Sequence, residues 1–137
     1  MHKEINVSLS ELDKVVSYLE ENLPESVILF LSGDLAAGKT TLTSAIARSR
    51  GIASGVTSPT FSLQQCYGEK LFHYDLYRIN NEEFFDLGLH EEFEKPGWHL
   101  VEWADESLKG FLANAGYNTA SILITPVGES RNYSIEV

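Results

Sequence analysis

The chain has 137 residues, 43% of them hydrophobic, enough to bury the core of a single domain over 1–137. Ten Lys and Arg against 20 Asp and Glu leave a formal charge of −10, which excludes a surface that grips nucleic acid over most of its area. The lone cysteine, Cys66, excludes an intrachain disulfide, no apolar run nears the roughly 20 residues that cross a bilayer, and no secretory signal is expected at Met1-His2-Lys3-Glu4. These features lead us to expect a cytoplasmic protein that is not bound to membranes.

The first element is a helix. Ser8-Leu9-Ser10-Glu11 has the S-x-x-E form of a capping box. Behind it Leu9, Leu12, Val16, Leu19 and Leu23 step by three or four residues, an apolar stripe that ends near Pro24. Val27-Ile28-Leu29-Phe30-Leu31 is a short apolar run suited to a buried parallel strand. Directly after it, Gly33-Asp34-Leu35-Ala36-Ala37-Gly38-Lys39-Thr40 spells G-x-x-x-x-G-K-[ST]. The spacing has a physical meaning. The glycines let the backbone take positive φ and turn its N–H groups around phosphates, the lysine brings a point charge to the β- and γ-phosphates, and the threonine offers a hydroxyl to Mg²⁺. Residues 41–50 then read as a helix whose positive end faces the phosphates, with Gly51 at its C′ position. A nucleotide with Mg²⁺ is therefore expected at this turn.

Residues 53–60 are small, polar and turn-prone, and read as a loop passing near the nucleotide. Residues 61–67 and 71–77 read as two strands of a hairpin turning through Gly68-Glu69-Lys70, with Cys66 in the first strand. Residues 80–87 form a short acidic helix stopped by Gly88, and 90–97 are irregular or helical. Residues 98–103 read as a buried strand with Trp98 and Trp103 in the core, 105–112 as a helix, 120–125 as a strand and 133–137 as a terminal strand. This order predicts a three-layer α/β domain of P-loop NTPase type, its sheet mixed but mainly parallel, with helices on both faces.

A phosphate loop needs a carboxylate for Mg²⁺, which takes one or two of them together with phosphates and waters. Two acids end buried strands: Asp75 after Leu71-Phe72-His73-Tyr74, and Glu102 after Trp98-His99-Leu100-Val101. Either one is placed to hold the metal or to orient the attacking water. His73 alternates with Asp75 and shares its face; it reads as a structural hydrogen-bonder. Arg78 reads as a salt-bridge partner more than as a phosphate contact, and Trp103 has a second reading, lining a nucleotide or partner surface.

Four blocks now stand in order: Gly33-Asp34-Leu35-Ala36-Ala37-Gly38-Lys39-Thr40-Thr41, Thr57-Ser58-Pro59-Thr60-Phe61, His73-Tyr74-Asp75-Leu76-Tyr77-Arg78 and Val101-Glu102-Trp103-Ala104. Together they resemble the signatures of the TsaE (YjeE) ATPases, the bacterial tRNA threonylcarbamoyladenosine biosynthesis proteins, over nearly the whole chain. The resemblance implies an ATPase, with ATP or ADP and Mg²⁺ as its cofactors, that drives or resets a TsaB–TsaD heterodimer and meets tRNA only through that complex, the free protein being a monomer. It implies nucleotide contacts along residues 33–41, Lys39 on phosphate, Mg²⁺ at Thr40 and Glu102, Asp75 in the metal and water region, and residues 58–60 in a switch-like loop. It also implies adenine enclosed near residues 9–11 and a basic residue at the nucleotide, for which Arg131 is the nearest counterpart. The chain has Ala36 where the family usually has glycine; either the loop keeps ordinary φ there or nucleotide binding is weakened. Two other classes remain open from the residues themselves: an ATP-gated binding module with incidental hydrolysis, and a small-molecule kinase. A GTPase is disfavoured because no N-K-x-D motif occurs.

Overall fold

A computed structural model describes residues 1–33, 38–52 and 63–137. Seven strands form one sheet: β1 (His2–Ser8), β2 (Val27–Ser32), β3 (Gln64–Cys66), β4 (Leu71–Asp75), β5 (Trp98–Glu102), β6 (Thr119–Val127) and β7 (Ser130–Glu136). Their order across the sheet is β1-β7-β6-β2-β5-β4-β3. The four inner strands β6, β2, β5 and β4 run parallel, and the outer β7, β1 and β3 pair antiparallel. The α-helices are α1 (Asp13–Asn22), α2 (Lys39–Ser49), α3 (Asn81–Asp86), α4 (Leu89–Glu92) and α5 (Glu106–Asn114).

The alternation of each inner strand decides the layers. On β2, Val27, Leu29 and Leu31 pack with Val15, Val16 and Leu19 of α1 and Leu42 and Ile46 of α2. Ile28 and Phe30 point the other way, to Phe84 of α3 and Leu108 and Leu112 of α5. A strand covered on both faces must be apolar throughout, which is why β2 reads as an unbroken hydrophobic run. The layered, mixed α/β architecture with helices on both faces matches the expectation. Farther out, on β6, only one face is covered: Ile122 and Ile124 are buried, while Leu123 is half exposed.

Local signals account for several boundaries. Asn80 accepts from the Glu83 N–H while the Glu83 carboxylate accepts from the Asn80 N–H, a reciprocal cap that starts α3. The Asp105 side chain caps α5 by accepting from the Leu108 N–H at 2.8 Å. The hairpin of β3 and β4 is present, with residues 61 and 62 outside the described set.

Three expectations need correction. Residues 2–8 form an edge strand paired along its length with β7. The first helix begins at Asp13, preceded by a single 3₁₀ turn at Leu9–Glu11, and Leu9 is exposed, off the apolar stripe. The Ser8 hydroxyl caps no backbone N–H there; it donates to the Glu11 carboxylate at 3.2 Å. Finally, β5 ends at Glu102, and Trp103 leaves the sheet at φ 66° and is 37% exposed, while Trp98 is in the core.

Candidate nucleotide site

The site forms where the parallel strands end. Leu31 of β2 lies opposite Glu102 of β5, and Asp75 of β4 lies opposite the same Glu102. This register sets the two candidate acids side by side at neighbouring strand tips, next to the turn leaving β2. Open α/β sheets bind ligands in this place, outside the carboxyl ends of the strands.

The β2–α2 turn is bracketed by Gly33 at φ 144° and Gly38 at φ 105°, values that favour glycine. α2 starts at Lys39, so Lys39, Thr40 and Thr41 all belong to its first turn. Its first intrahelical bond is Leu42 N–H to Gly38 O at 3.0 Å. The N–H groups ahead of it point out of the positive end of the helix, a ready anion site. Asp34, Leu35, Ala36 and Ala37 of the motif, and residues 53–60, expected to form a loop near the nucleotide with a switch-like part at 58–60, lie outside the described residues.

Lys39 is buried, and a buried charge needs partners. Its Nζ donates to Gly33 O at 2.8 Å, lies 3.8 Å from Glu102 Oε1 and sits 3.9 Å from the centroid of the Trp103 ring. Glu102 is buried as well, and its Oε2 accepts from His73 Nε2. Asp75 is half buried and spends Oδ1 on the Tyr77 N–H, 3.0 Å away. Trp103 also meets Tyr77 edge to face, with ring centroids 4.9 Å apart.

Arg131 reaches the turn from β7. A Cβ built on Gly38 would lie 3.3 Å from both its Cζ and its Nε. Burial raises the Tyr133 phenol, and the Arg131 guanidinium beside it works against that rise. Leu9 and Ser10 border a groove of about 550 Å³ whose far wall is Ala45, Arg48 and Ser49 of α2. Arg78 is exposed and makes no ion pair among the described residues, so the salt bridge expected of it is absent there.

The structure thus gathers Lys39, Thr40, Glu102 and Arg131 about one turn, with Asp75 one strand farther out, opposite Glu102. Two neighbours were undervalued in the sequence: His73, whose partner is fixed by the β4–β5 register, and Trp103, whose ring covers Lys39. Among the described residues no group of three or more His, Cys, Asp or Glu is arranged to hold a metal by itself. The donor set suits Mg²⁺, which takes few protein ligands and completes its shell with phosphates and waters.

The sheet, the glycine-bracketed turn and the strand-tip acids define an α/β protein of P-loop NTPase type. The chain belongs to the TsaE family: the family model described as "Threonylcarbamoyl adenosine biosynthesis protein TsaE" matches residues 7–132. A tRNA threonylcarbamoyladenosine biosynthesis protein TsaE from Bacillus subtilis is 41% identical over 112 residues, covering 74% of this chain and 70% of that protein. One from Haemophilus influenzae is 35% identical over 101 residues, covering 71% of this chain and 63% of its own length. The crystal structure of Bacillus subtilis YdiB superposes with a TM-score of 0.66 at 29% identity, covering 98% of this chain and 86% of that one. No helix among the described residues is long and apolar enough to cross a membrane.

Proposed function

We propose that this chain is a Mg²⁺-dependent ATPase that serves the threonylcarbamoyladenosine modification of tRNA, the pathway for which its relatives are named. One observation supports this above the rest: a buried strand-tip carboxylate, Glu102, lies beside the buried lysine of a glycine-bracketed turn. Lys39, the N–H groups of the first turn of α2 and Arg131 bind the phosphates. Thr40 and Glu102 hold Mg²⁺, and Asp75 stands next to them to orient water. When bound, the metal neutralises phosphate charge and helps align the nucleotide. Trp103 and Lys39 shield the carboxylate from bulk water, which strengthens every charge interaction inside the site. Turnover drives or resets a TsaB–TsaD-like pair, and the strongly acidic chain meets tRNA only through that complex.

The test is an ATPase assay with and without the TsaB–TsaD pair, read alongside tRNA modification. We expect slow hydrolysis alone, faster hydrolysis with the pair, and loss of both turnover and modification in Lys39→Ala. Wild-type turnover in Lys39→Ala would overturn the site assignment. The exposed Tyr77–Trp103 pair at the edge of the turn favours one alternative, an ATP-gated binding surface. That reading gains if Glu102→Gln binds ATP, fails to hydrolyse it and still supports full modification.

A further inference from the structure

β4 carries a polar side chain that the proposed chemistry does not yet use. His73 has no accessible surface. Two residues earlier on the same face stands Leu71, also buried, and an apolar side chain would fill the position without desolvating an imidazole. The ring is incompletely satisfied: its Nδ1 is buried with no hydrogen-bond partner among the described residues. Its Nε2–H goes to Oε2 of Glu102. That carboxylate ends a flexible side chain, and its other oxygen, Oε1, faces Lys39 Nζ at 3.8 Å.

We propose that His73 is a positioning residue: its Nε2–H pins one oxygen of Glu102 so that the other stays turned toward Lys39 and the β2–α2 turn. The geometry follows from register. His73 lies opposite Leu100 and Asp75 opposite Glu102, so the imidazole sits one step back along the sheet, behind the carboxylate as seen from the turn. From there it can fix the acid without touching a phosphate. Partners of this kind orient ligands that themselves hold metal. The proposal rests on reading Glu102 as the Mg²⁺ carboxylate.

Three variants of the full chain test it: His73→Gln, His73→Asn and His73→Leu. Glutamine sets an amide nitrogen near the position of Nε2, asparagine reaches only the position of Nδ1, and leucine has no donor. The first readout is the Mg²⁺ concentration that half-saturates ATP binding by calorimetry; the second is the division between kcat and KM with the partner pair present. We expect the Leu and Asn variants to need about 10- to 100-fold more Mg²⁺ and to lose kcat more than KM, and the Gln variant to stay close to wild type. Equal Mg²⁺ requirements in the Gln and Asn variants would overturn the proposal, and that pair decides even if the Leu variant does not fold. Glu102→Gln separates the two levels. If it hydrolyses ATP as the wild type does, the reading of Glu102 fails and His73 falls with it. If it is inactive while all three His73 variants match wild type, only the positioning role fails.

Discussion

One methyl group placed at two different glycines should move stability in opposite directions. In Gly38→Ala the residue keeps φ near 105°, where an L side chain costs roughly 1–2 kcal/mol. The added Cβ lies 3.3 Å from Arg131 Cζ and Nε, the far end of a flexible side chain, so a shift of a few tenths of an ångström relieves the contact. Backbone conformation, not crowding, sets the cost. Gly110 is exposed within α5, has ordinary φ, and a Cβ there meets nothing within 4 Å. Alanine at that site gains about 0.5–1 kcal/mol from helix propensity. With an unfolding entropy of about 2.1 cal/mol/K per residue, 137 residues give about 0.29 kcal/mol/K. Gly38→Ala should therefore lower Tm by about 3–7 °C and Gly110→Ala raise it by about 2–3 °C. Circular dichroism melts measure both. Repeating them with nucleotide adds the functional half: ligand at 100 times Kd stabilises by about 2.7 kcal/mol, or roughly 9 °C here. Wild type and Gly110→Ala should show that rise, and Gly38→Ala only part of it. A Gly38→Ala protein with unchanged Tm and a full nucleotide shift would refute the reasoning.

Removing the basic arm of β7 tests the same turn from the other side. If Arg131 makes one charge-assisted bond to phosphate, worth about 1.5–3 kcal/mol, Arg131→Ala should weaken ATP binding by about tenfold or more in calorimetry; an unchanged Kd would free Arg131 of the role. Acidification should destabilise the fold through His99. That ring donates to Lys95 O at 2.8 Å, accepts from the Tyr74 hydroxyl at 2.6 Å and stacks on Phe72. Burial holds it below its ordinary 6.5, against the Lys95 carbonyl. The unfolded chain then binds the extra proton first, so this stability is present above 6.5 and is lost as pH falls toward the depressed folded value. His2 works in the opposite sense, raised by Glu136 and then Glu4, its share fully present below 6.5 and lost as pH rises past its folded value. Tm should therefore fall between about pH 7 and 5 more steeply in His2→Gln than in the His2→Gln/His99→Gln double variant; parallel curves would exclude His99 as the cause.

The inner half of the fold was legible because both strand faces are buried. β2 needs apolar residues at every position, and the turn after it needs glycines, so its sequence carries one message. The edges were not legible. β1 reads His-Lys-Glu-Ile-Asn-Val-Ser, and only Val7 is buried, with Ile5 partly so. Nothing local makes these residues a strand; their ladder with β7, more than a hundred residues away, does. The S-x-x-E signal at Ser8 misled for a related reason. The chain makes a 3₁₀ turn on leaving β1, and that brings the serine hydroxyl to the glutamate rather than to a backbone N–H. By contrast, Asn80 makes the reciprocal cap with Glu83, since no strand feeds directly into it.

The site divides along a similar line. Spacing along the chain identified the turn and named two acids at strand ends, but it could not rank them, because both end apolar runs. The sheet separates them by surroundings. Asp75 is half buried and turns one oxygen to its own Tyr77 N–H, as an acid shaping a turn does. Glu102 is buried between an imidazole and an ammonium, a place where an unpaired carboxylate would be costly. Trp103 adds a second difference. A non-glycine residue at φ 66° stores roughly 1–2 kcal/mol of strain, and here that conformation lays an indole over Lys39 instead of returning it to the core. Strain kept beside a buried charge pair is the pattern of a site rather than of a scaffold. It favours Glu102 over Asp75 as the carboxylate that works with Lys39, and it explains why a tryptophan that reads as core by hydrophobicity stands at the surface.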